Sequence, residues 1–377
     1  MKQLSILAPT RCGWSFNGPR RSRHRIERRS FLPVNLISAR YQGVTVINPF
    51  PPQRFDIVHG YNRIPLGTSK FVIGFESHLP RGYGMEETRY FRWLTRKLAS
   101  PGCRRIVAIS EHARRTFRAV HTSGSLADTL ESKLEVRYPN IQIPDAPDAL
   151  AGDDIGHVRA LFVGNHFGRK GGCVAVRLAQ IALERSFPLE VGIVSSLQVG
   201  GAVWTDPLNE SFFERYFQLL ELPNVRFHQS LPNAEVLTLL RTSHFCLLPS
   251  FSDTFGFSAI EAMANATPVV GTRQSALPEF VAHRSNGILL DLPTTELGDW
   301  VHSGSHRRAE SWFEQNYADE VERLAQAAFD EISAAVADKQ HYRDMRRNAR
   351  ETATALFDAK SAADYWDNLY DEAARKE

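Results

Sequence analysis

One rhythm runs twice through the 377 residues of this chain and constrains its fold more than any other feature. Short apolar runs of strand length alternate with stretches of helical period, the pattern of a parallel sheet wrapped by helices. In the first half the strand-like runs are Leu4 to Ala8, Val44 to Ile47, Asp56 to His59, Phe71 to Phe75 and Arg105 to Ile109. Glu111 to Val120 reads as a helix with Ser110 as its N-cap. The rhythm breaks over PNIQIPDAPDALAGDDIG, residues 139–156, where Pro, Asp and Gly leave no periodicity. It resumes with strands at Ala160 to Val163, Leu189 to Val194, Val225 to His228, Phe245 to Leu248, Val269 to Gly271 and Ile288 to Leu290, and with a helix from about Lys170 to Arg185. The tail from Ala318 onward is helical and ends in Phe357, Tyr365, Trp366 and Tyr370, most of them on one face that must be buried. Such a length exceeds what one hydrophobic core supports. The expectation is two α/β domains, 1–150 and 151–355, and a terminal helix, 356–377.

Charge divides along the same line. Residues 1–150 hold 24 Lys+Arg against 11 Asp+Glu, a balance of +13, while the remainder holds 21 against 31, or −10. The first half should therefore attract anions. Its densest basic stretch is Arg20, Arg21, Arg23, Arg25, Arg28 and Arg29; a second lies in Glu86 to Ala99, where Arg89, Arg92 and Arg96 share one helical face and Phe91, Leu94 and Leu98 another. A basic amphipathic helix of this kind suits an anionic membrane surface or a phosphorylated acceptor, and equally a solvated face over a core. No helix-turn-helix, zinc finger or RNP-like aromatic motif accompanies the charge, so nucleic acid is not the expected partner. Cys12, Cys103, Cys173 and Cys246 lie far apart, without the spacing of a zinc site or a disulfide framework, and point to a reducing cytoplasm. No run approaches the roughly 18 to 20 apolar residues of a membrane helix. The chain is expected to be cytoplasmic, either free or peripheral on the inner face of the membrane.

Two blocks have the makings of a site. In ALFVGNHFGRKGG, residues 160–172, a buried strand ends at Gly164, a loop through Asn165 follows, and Arg169 and Lys170 stand where a helix begins. Backbone N–H groups and two adjacent cations at such a junction favour phosphate. Neither a Walker loop nor G-x-G-x-x-G is present. In LLPSFSDTFGFSAIEAMANATPVVGT, residues 247–272, a strand opens into a loop with Asp253, Thr254, Phe255 and Gly256, and the following helix carries Glu261. Open α/β sheets bind ligands at that edge. A carboxylate on the helix can accept both hydroxyls of a ribose, while loop amides around Phe255 and Gly256 face a phosphate or sugar. Asp253 as a helix cap, with Arg169, Lys170 and Glu261 exposed on helix surfaces, is the structural alternative.

These blocks, with LPEFV at Leu277 to Val281, resemble family 4 of the glycosyltransferases over about residues 157–292. The resemblance implies a GT-B fold, two Rossmann-like domains facing each other across a cleft with the C-terminal helix packing back toward the first domain. It also implies a retaining transfer from a UDP- or GDP-linked sugar, without a metal or other cofactor, in cell-surface polysaccharide or glycolipid synthesis. The chain has no D-x-D, which fits metal independence. In the family's pattern Arg169 and Lys170 fall on the phosphate-binding pair, Glu261 on the acid that holds the donor ribose, and Asp253 on the acid that contacts the transferred sugar. Gly164, Asn165, Thr254, Phe255 and Gly256 complete the donor site there. Gly13 falls on the family's glycine-bearing loop after the first strand, and His78 on a histidine near the reacting carbon; Glu76 is a weaker candidate. The acceptor implied is an anionic or lipid-linked saccharide. The sequence departs from the family at Asp253, usually Glu, at Ala266, usually Gly, and at Ser275 and Ala276, usually Gly-Gly. A nucleotide-sugar epimerase or hydrolase of the same fold, and a non-catalytic sugar-nucleotide-binding protein, are the alternatives.

Overall fold

The structure is a computed structural model and describes residues 2–10, 17–36, 38, 41–47, 53–82, 84–121, 125–145 and 156–375. It contains two compact units, Met1–Gln142 with Leu356–Glu377, and Ile143–Ala355.

In the first unit β1 (Ser5–Pro9), β2 (Arg25–Arg29), β5 (Ile57–Tyr61), β7 (Phe71–Phe75), β8 (Cys103–Ala108) and β9 (Leu134–Val136) form one sheet in the order β2-β1-β5-β7-β8-β9. Every neighbouring pair in it is parallel. A smaller sheet joins β3 (Phe31–Pro33), β4 (Val44–Ile47) and β6 (Ile64–Leu66). Helices α1 (Arg89–Ala99), α2 (Glu111–His121) and α3 (Ala127–Glu131) follow the strands. The Ser110 hydroxyl accepts from the Ala113 amide at 2.9 Å, which is the N-cap bond expected for α2.

The second unit repeats the plan with one parallel sheet in the order β12-β11-β10-β13-β14-β15. The strands are β10 (Val158–Val163), β11 (Leu189–Val194), β12 (Val225–His228), β13 (Phe245–Leu248), β14 (Val269–Thr272) and β15 (Gly287–Leu290). Its helices are α4 (Phe167–Lys170), α5 (Gly172–Glu184), α6 (Glu214–Phe217), α7 (Asn233–Thr242), α8 (Phe257–Ala264), α9 (Ser311–Ala337) and α10 (Lys339–Phe357). From β10 the chain adds β11 and β12 on one side, then returns to place β13 on the other. The sheet thus has its topological switch point between β10 and β13, the position where doubly wound folds open a crevice.

The aromatic face of the tail is buried within the first unit. On α11 (Ala359–Ala374) Trp366, 1% exposed, and Tyr370 pack with Ile6, Ile57, Val72 and Val107. The Tyr370 hydroxyl meets His59 Nδ1 at 2.7 Å, and burial drives the His59 pKa down to about 3, so the imidazole is neutral. The division between units falls after Gln142 rather than at 150. The reason is local: the Ile141 amide donates to Phe357 O at 2.8 Å and the Ala359 amide to Ile141 O at 3.0 Å, which fastens residue 141 to the tail.

In the basic run from Arg20, residues Arg25 to Arg29 are the strand β2, paired in register with β1, and Arg21, Arg25 and Arg28 stay exposed while others are engaged within the protein. Arg23 meets Asp371 at 2.5 Å on α11, Arg29 meets Glu27 at 2.7 Å, and Arg20 donates to Asn140 O at 3.2 Å. Asp371 and Asn140 lie far along the chain, so of these acceptors the run itself disclosed only Glu27.

Candidate functional site

The switch point of the second sheet holds both predicted blocks. Ala160, Leu161 and Phe162 of β10 pair with Phe245, Cys246 and Leu247 of β13, so the loops at residues 164–166 and 249–256 leave the same edge side by side. Gly164 sits in a tight place: a Cβ on it would stand 3.0 Å from Lys170 Cβ and 3.2 Å from Phe162 Cζ. Asn165 is exposed, and its carbonyl accepts from the Gln198 amide at 2.9 Å. The short α4 presents Arg169 and Lys170 and ends at Gly171, whose φ of 89° is left-handed. A Cβ on Gly171 would lie 2.2 Å from Pro249 O, so only glycine lets the two loops touch.

The two cations have different partners. The Lys170 ammonium is ion-paired with the Asp253 carboxylate. Arg169 is 8% exposed; its Nη1 donates to Ser252 O at 2.7 Å and its guanidinium lies over the Trp204 ring, 5.0 Å from the centroid. Asp253 is 6% exposed. Burial acts to raise its pKa, but Lys170, Arg169 and the Phe255 amide outweigh it and hold the carboxyl below the usual range. The Phe255 amide therefore serves Asp253, where the sequence suggested a ligand contact, and the Phe255 ring is core, stacked on Phe280 at 5.2 Å. Thr254 is half-buried beside it. Gly256, φ 89°, caps α8, which bears the half-buried Glu261.

Sequence reasoning missed three residues at this edge. His166, between Asn165 and α4, has its pKa lowered by burial and then by Arg169 and Lys170. Trp204, 47% exposed, belongs to the excursion after β11 and donates from Nε1 to Ser252 Oγ at 3.3 Å. Asp206, fully buried, rests on the backbone of α4: a Cβ on Gly168 would be 2.4 Å from its Oδ2. Only the single His in the first block was a legible signal; Trp204 and Asp206 come from a segment without a motif. Arg308 holds that segment in place, donating to Asp206 O at 2.6 Å and Gly200 O at 3.1 Å.

Burial pushes the Asp206 carboxyl up to about 7, against the lowering effects of Thr205, Gly200, Arg308 and Arg169. Its unfolded value is near 3.8, so the folded state keeps a proton that the unfolded state releases as pH rises. The stabilisation from this group is complete below about pH 4 and is lost on the way to pH 7. Asp206→Asn has no such loss, so its thermal midpoint should gain on wild type between pH 4.5 and 7, by on the order of 1.4 kcal/mol per pKa unit of the shift. Parallel midpoint-versus-pH curves for the two proteins would exclude a protonated Asp206.

The remaining candidates lie in the first unit. His78 is half-buried in the loop after β7. Glu76, in the same loop, accepts from Asn62 Nδ2 at 2.9 Å and meets Arg81 at 2.5 Å. Gly13, like Cys12, lies outside the described residues.

The departures from the family's glycines have a geometric counterpart. Ala266 and Ser275 have φ of 57° and 46°, a left-handed backbone that costs a residue with a Cβ about 1 kcal/mol or more. Ala276, φ −88°, needs no glycine.

Residues 159–297 match the family model of glycosyl transferases group 1. Among curated proteins, the D-inositol 3-phosphate glycosyltransferase of Corynebacterium efficiens is 30% identical over 130 residues, 34% of this chain and 30% of that protein. The enzyme of the same name from Corynebacterium glutamicum is 37% identical over 67 residues, 18% of this chain and 16% of that protein. These matches thus span less than a third of the relatives' own length. A glycosyltransferase from Rickettsia africae shares the fold at a TM-score of 0.66 and 12% identity, covering 100% of both chains. Anabaena HepE, solved with UDP and glucose, gives a TM-score of 0.59 at 13% identity over 96% of this chain and 98% of that one. The match over the crevice-bearing segment and the fold of both units agree: residues 159–297 are a glycosyl transferases group 1 domain in a chain of the GT-B fold, two Rossmann-like domains.

Proposed function

We propose that the chain is a retaining glycosyltransferase that moves a hexose from a UDP- or GDP-linked donor to an acceptor hydroxyl, in the assembly of a cell-surface polysaccharide or glycolipid. One observation carries the reading: Lys170 and Asp253 meet at the switch point of the second sheet, with α8 and Glu261 leaving the same loop. A nucleoside diphosphate is a leaving group whose charge grows as the glycosidic bond breaks. Lys170, backed by the buried Arg169, is a fixed cation for that charge and needs no metal in the role. Glu261 is assigned to the ribose hydroxyls and Asp253 to the transferred sugar. When the diphosphate engages Lys170, Asp253 gives up part of its ion pair and its oxygens become available to sugar hydroxyls. With same-face attack, a donor phosphate oxygen takes the acceptor proton. His78 is proposed to assist near the reacting carbon, and Gly13 to line the donor side of the first loop. The complex of HepE with UDP and glucose supports a UDP-hexose as the first donor to try. The excess positive charge of residues 1–150 and the phosphorylated acceptor in the name of the corynebacterial relatives support an anionic acceptor.

The test pairs donor binding with transfer. Thermal midpoints are measured with UDP, GDP and their hexose conjugates, and the stabilising donor is then given to a panel of phosphorylated and lipid-linked saccharides, with the anomeric configuration of the product read by NMR. The reading requires a midpoint rise with one nucleotide family and an acceptor-dependent α-linked product from an α-linked donor. Tight donor binding without turnover on any acceptor would make the chain a sugar-nucleotide-binding protein, and turnover of donor alone would make it a hydrolase or epimerase.

A further inference from the structure

The loop after β14 lies beside the loop after β13 at the switch-point edge, and Thr272 Oγ1 ties the two together by donating to Ser250 O at 2.5 Å. Gln274 follows at once and is 1% exposed. Its Oε1 accepts from the Asp253 amide at 3.4 Å and from the Ser275 hydroxyl at 2.6 Å. The Asp253 amide can only donate, so the side-chain oxygen must face it and the orientation of the Gln274 amide is fixed. That leaves Nε2, with its two N–H groups, buried and without a hydrogen-bond partner among the described residues. Buried donors in folded proteins are paired almost everywhere, and an orphan one in a crevice points to a bound group that completes it.

The residue that pins this amide is itself strained. Ser275 has a left-handed φ of 46° at a position where the family's pattern has glycine, and its hydroxyl is what holds Gln274 Oε1. A glycine there would be free of the strain and would leave the amide unpinned. Strain kept together with an unpaired donor is the combination found where a protein holds a group ready for a ligand. A second such atom is His166 Nδ1, in the loop after β10, which is also buried without a partner among the described residues. Burial and the nearby Arg169 and Lys170 keep that imidazole neutral against the pull of Asp253. Two unpartnered nitrogens thus accompany Asp253, and neither belongs to the paired acidic motif.

We infer that Gln274 is a specificity-determining residue for the transferred sugar, its Nε2 donating to a hexose hydroxyl that in turn donates to Asp253. The inference rests on the sugar-transfer reading and extends it from the diphosphate to the hexose. The chemistry of the pair selects the ligand group. A carboxylate only accepts hydrogen bonds and an amide NH2 only donates them, whereas a hydroxyl does both at once. A phosphate oxygen would satisfy the amide and be repelled by Asp253; an ammonium would satisfy Asp253 and leave the amide unpaired. Gln274 is closed to solvent and Asp253 is ion-paired with Lys170, so the hydroxyl reaches them as the diphosphate draws Lys170 aside. Binding is therefore ordered within the donor, diphosphate first and sugar second.

The experiment is calorimetric titration of the full chain with UDP and UDP-glucose, with GDP and GDP-mannose, and with monodeoxy forms of whichever conjugate binds. Gln274→Met should weaken that conjugate at least about tenfold while the bare diphosphate stays within about twofold of wild type. One monodeoxy form should bind wild type at least about tenfold more weakly than its parent, and Gln274→Met should no longer tell the two apart, because the site's polar group is gone. Ser275→Gly, which relaxes the backbone and frees the amide, should weaken the conjugate by about three- to fivefold, and it decides the matter if Gln274→Met does not fold. An equal loss for conjugate and bare diphosphate, no loss in either variant, or unchanged discrimination of the monodeoxy form by Gln274→Met would overturn the assignment and leave the transferase reading standing. Wild type that binds none of the nucleotides would sink that reading and this inference together.

Discussion

Lys170→Ala is expected to lower sugar transfer by about 10² to 10³-fold, the scale seen when one preorganised stabiliser of a leaving group's charge is removed. The structure adds a second consequence. Lys170 is the ion-pair partner of Asp253, which is 6% exposed, so the alanine leaves a carboxylate buried beside only Arg169 and backbone donors. Asp253 should then take up a proton at higher pH, and the variant should lose roughly 1–3 kcal/mol of stability, less than for a fully buried pair because Lys170 keeps some solvent contact. The double variant Lys170→Ala, Asp253→Asn separates the two effects, since it removes the stranded charge and recovers stability without restoring the cation. Donor turnover of Lys170→Ala within a few-fold of wild type would end the phosphate assignment. Recovery of turnover in the double variant would show that Lys170 serves Asp253 alone.

Gly171→Ala should be the most destabilising single methyl in the second unit. Two terms add: a left-handed φ of 89°, worth about 1–2 kcal/mol, and a Cβ placed 2.2 Å from Pro249 O and 2.6 Å from Pro249 C. Backbone cannot swing aside as a side chain can, and the Phe251 amide is tied to Arg169 O at 2.8 Å across the same junction. Overpacking of this kind brings the total to about 3–5 kcal/mol. Gly304 is the control, with φ 70° and nothing within 4 Å of its would-be Cβ, so Gly304→Ala has only the conformational cost. Chemical denaturation of both variants reads the difference. If Gly171→Ala costs no more than Gly304→Ala, the contact between the two loops is soft and the site is not preorganised.

Most strands of both sheets were legible because parallel strands buried on both faces are runs of Val, Ile, Leu and Phe, and a run such as Phe71–Phe75 or Leu189–Val194 has few other fates. β2 was not, because RIERR has no apolar run and becomes a strand only by pairing with β1 while α11 supplies Asp367 and Asp371 beside it. Lys170, Asp253 and Glu261 were legible from short segments, since a strand end, a polar loop and a helix start are local patterns. The residues packed around them from other segments were not. Arg169, read as one of a phosphate-binding pair, is covered by Trp204, a residue 35 positions away in an excursion held by Arg308 and Asp206.

The amino-acid sequence alone settled the two-unit α/β plan and the loops that meet at the second switch point, because burial of periodic apolar runs and the chemistry of strand-to-helix turns act over a few residues. Tertiary structure decided which charges are spent inside the protein and which face outward. Arg23 pairs with Asp371 and Arg169 donates to Ser252 O, both far along the chain, while among the described residues Arg89, Arg92 and Arg96 meet no ion-pair partner. An ion pair depends on distance in space, and spacing along the sequence does not encode it.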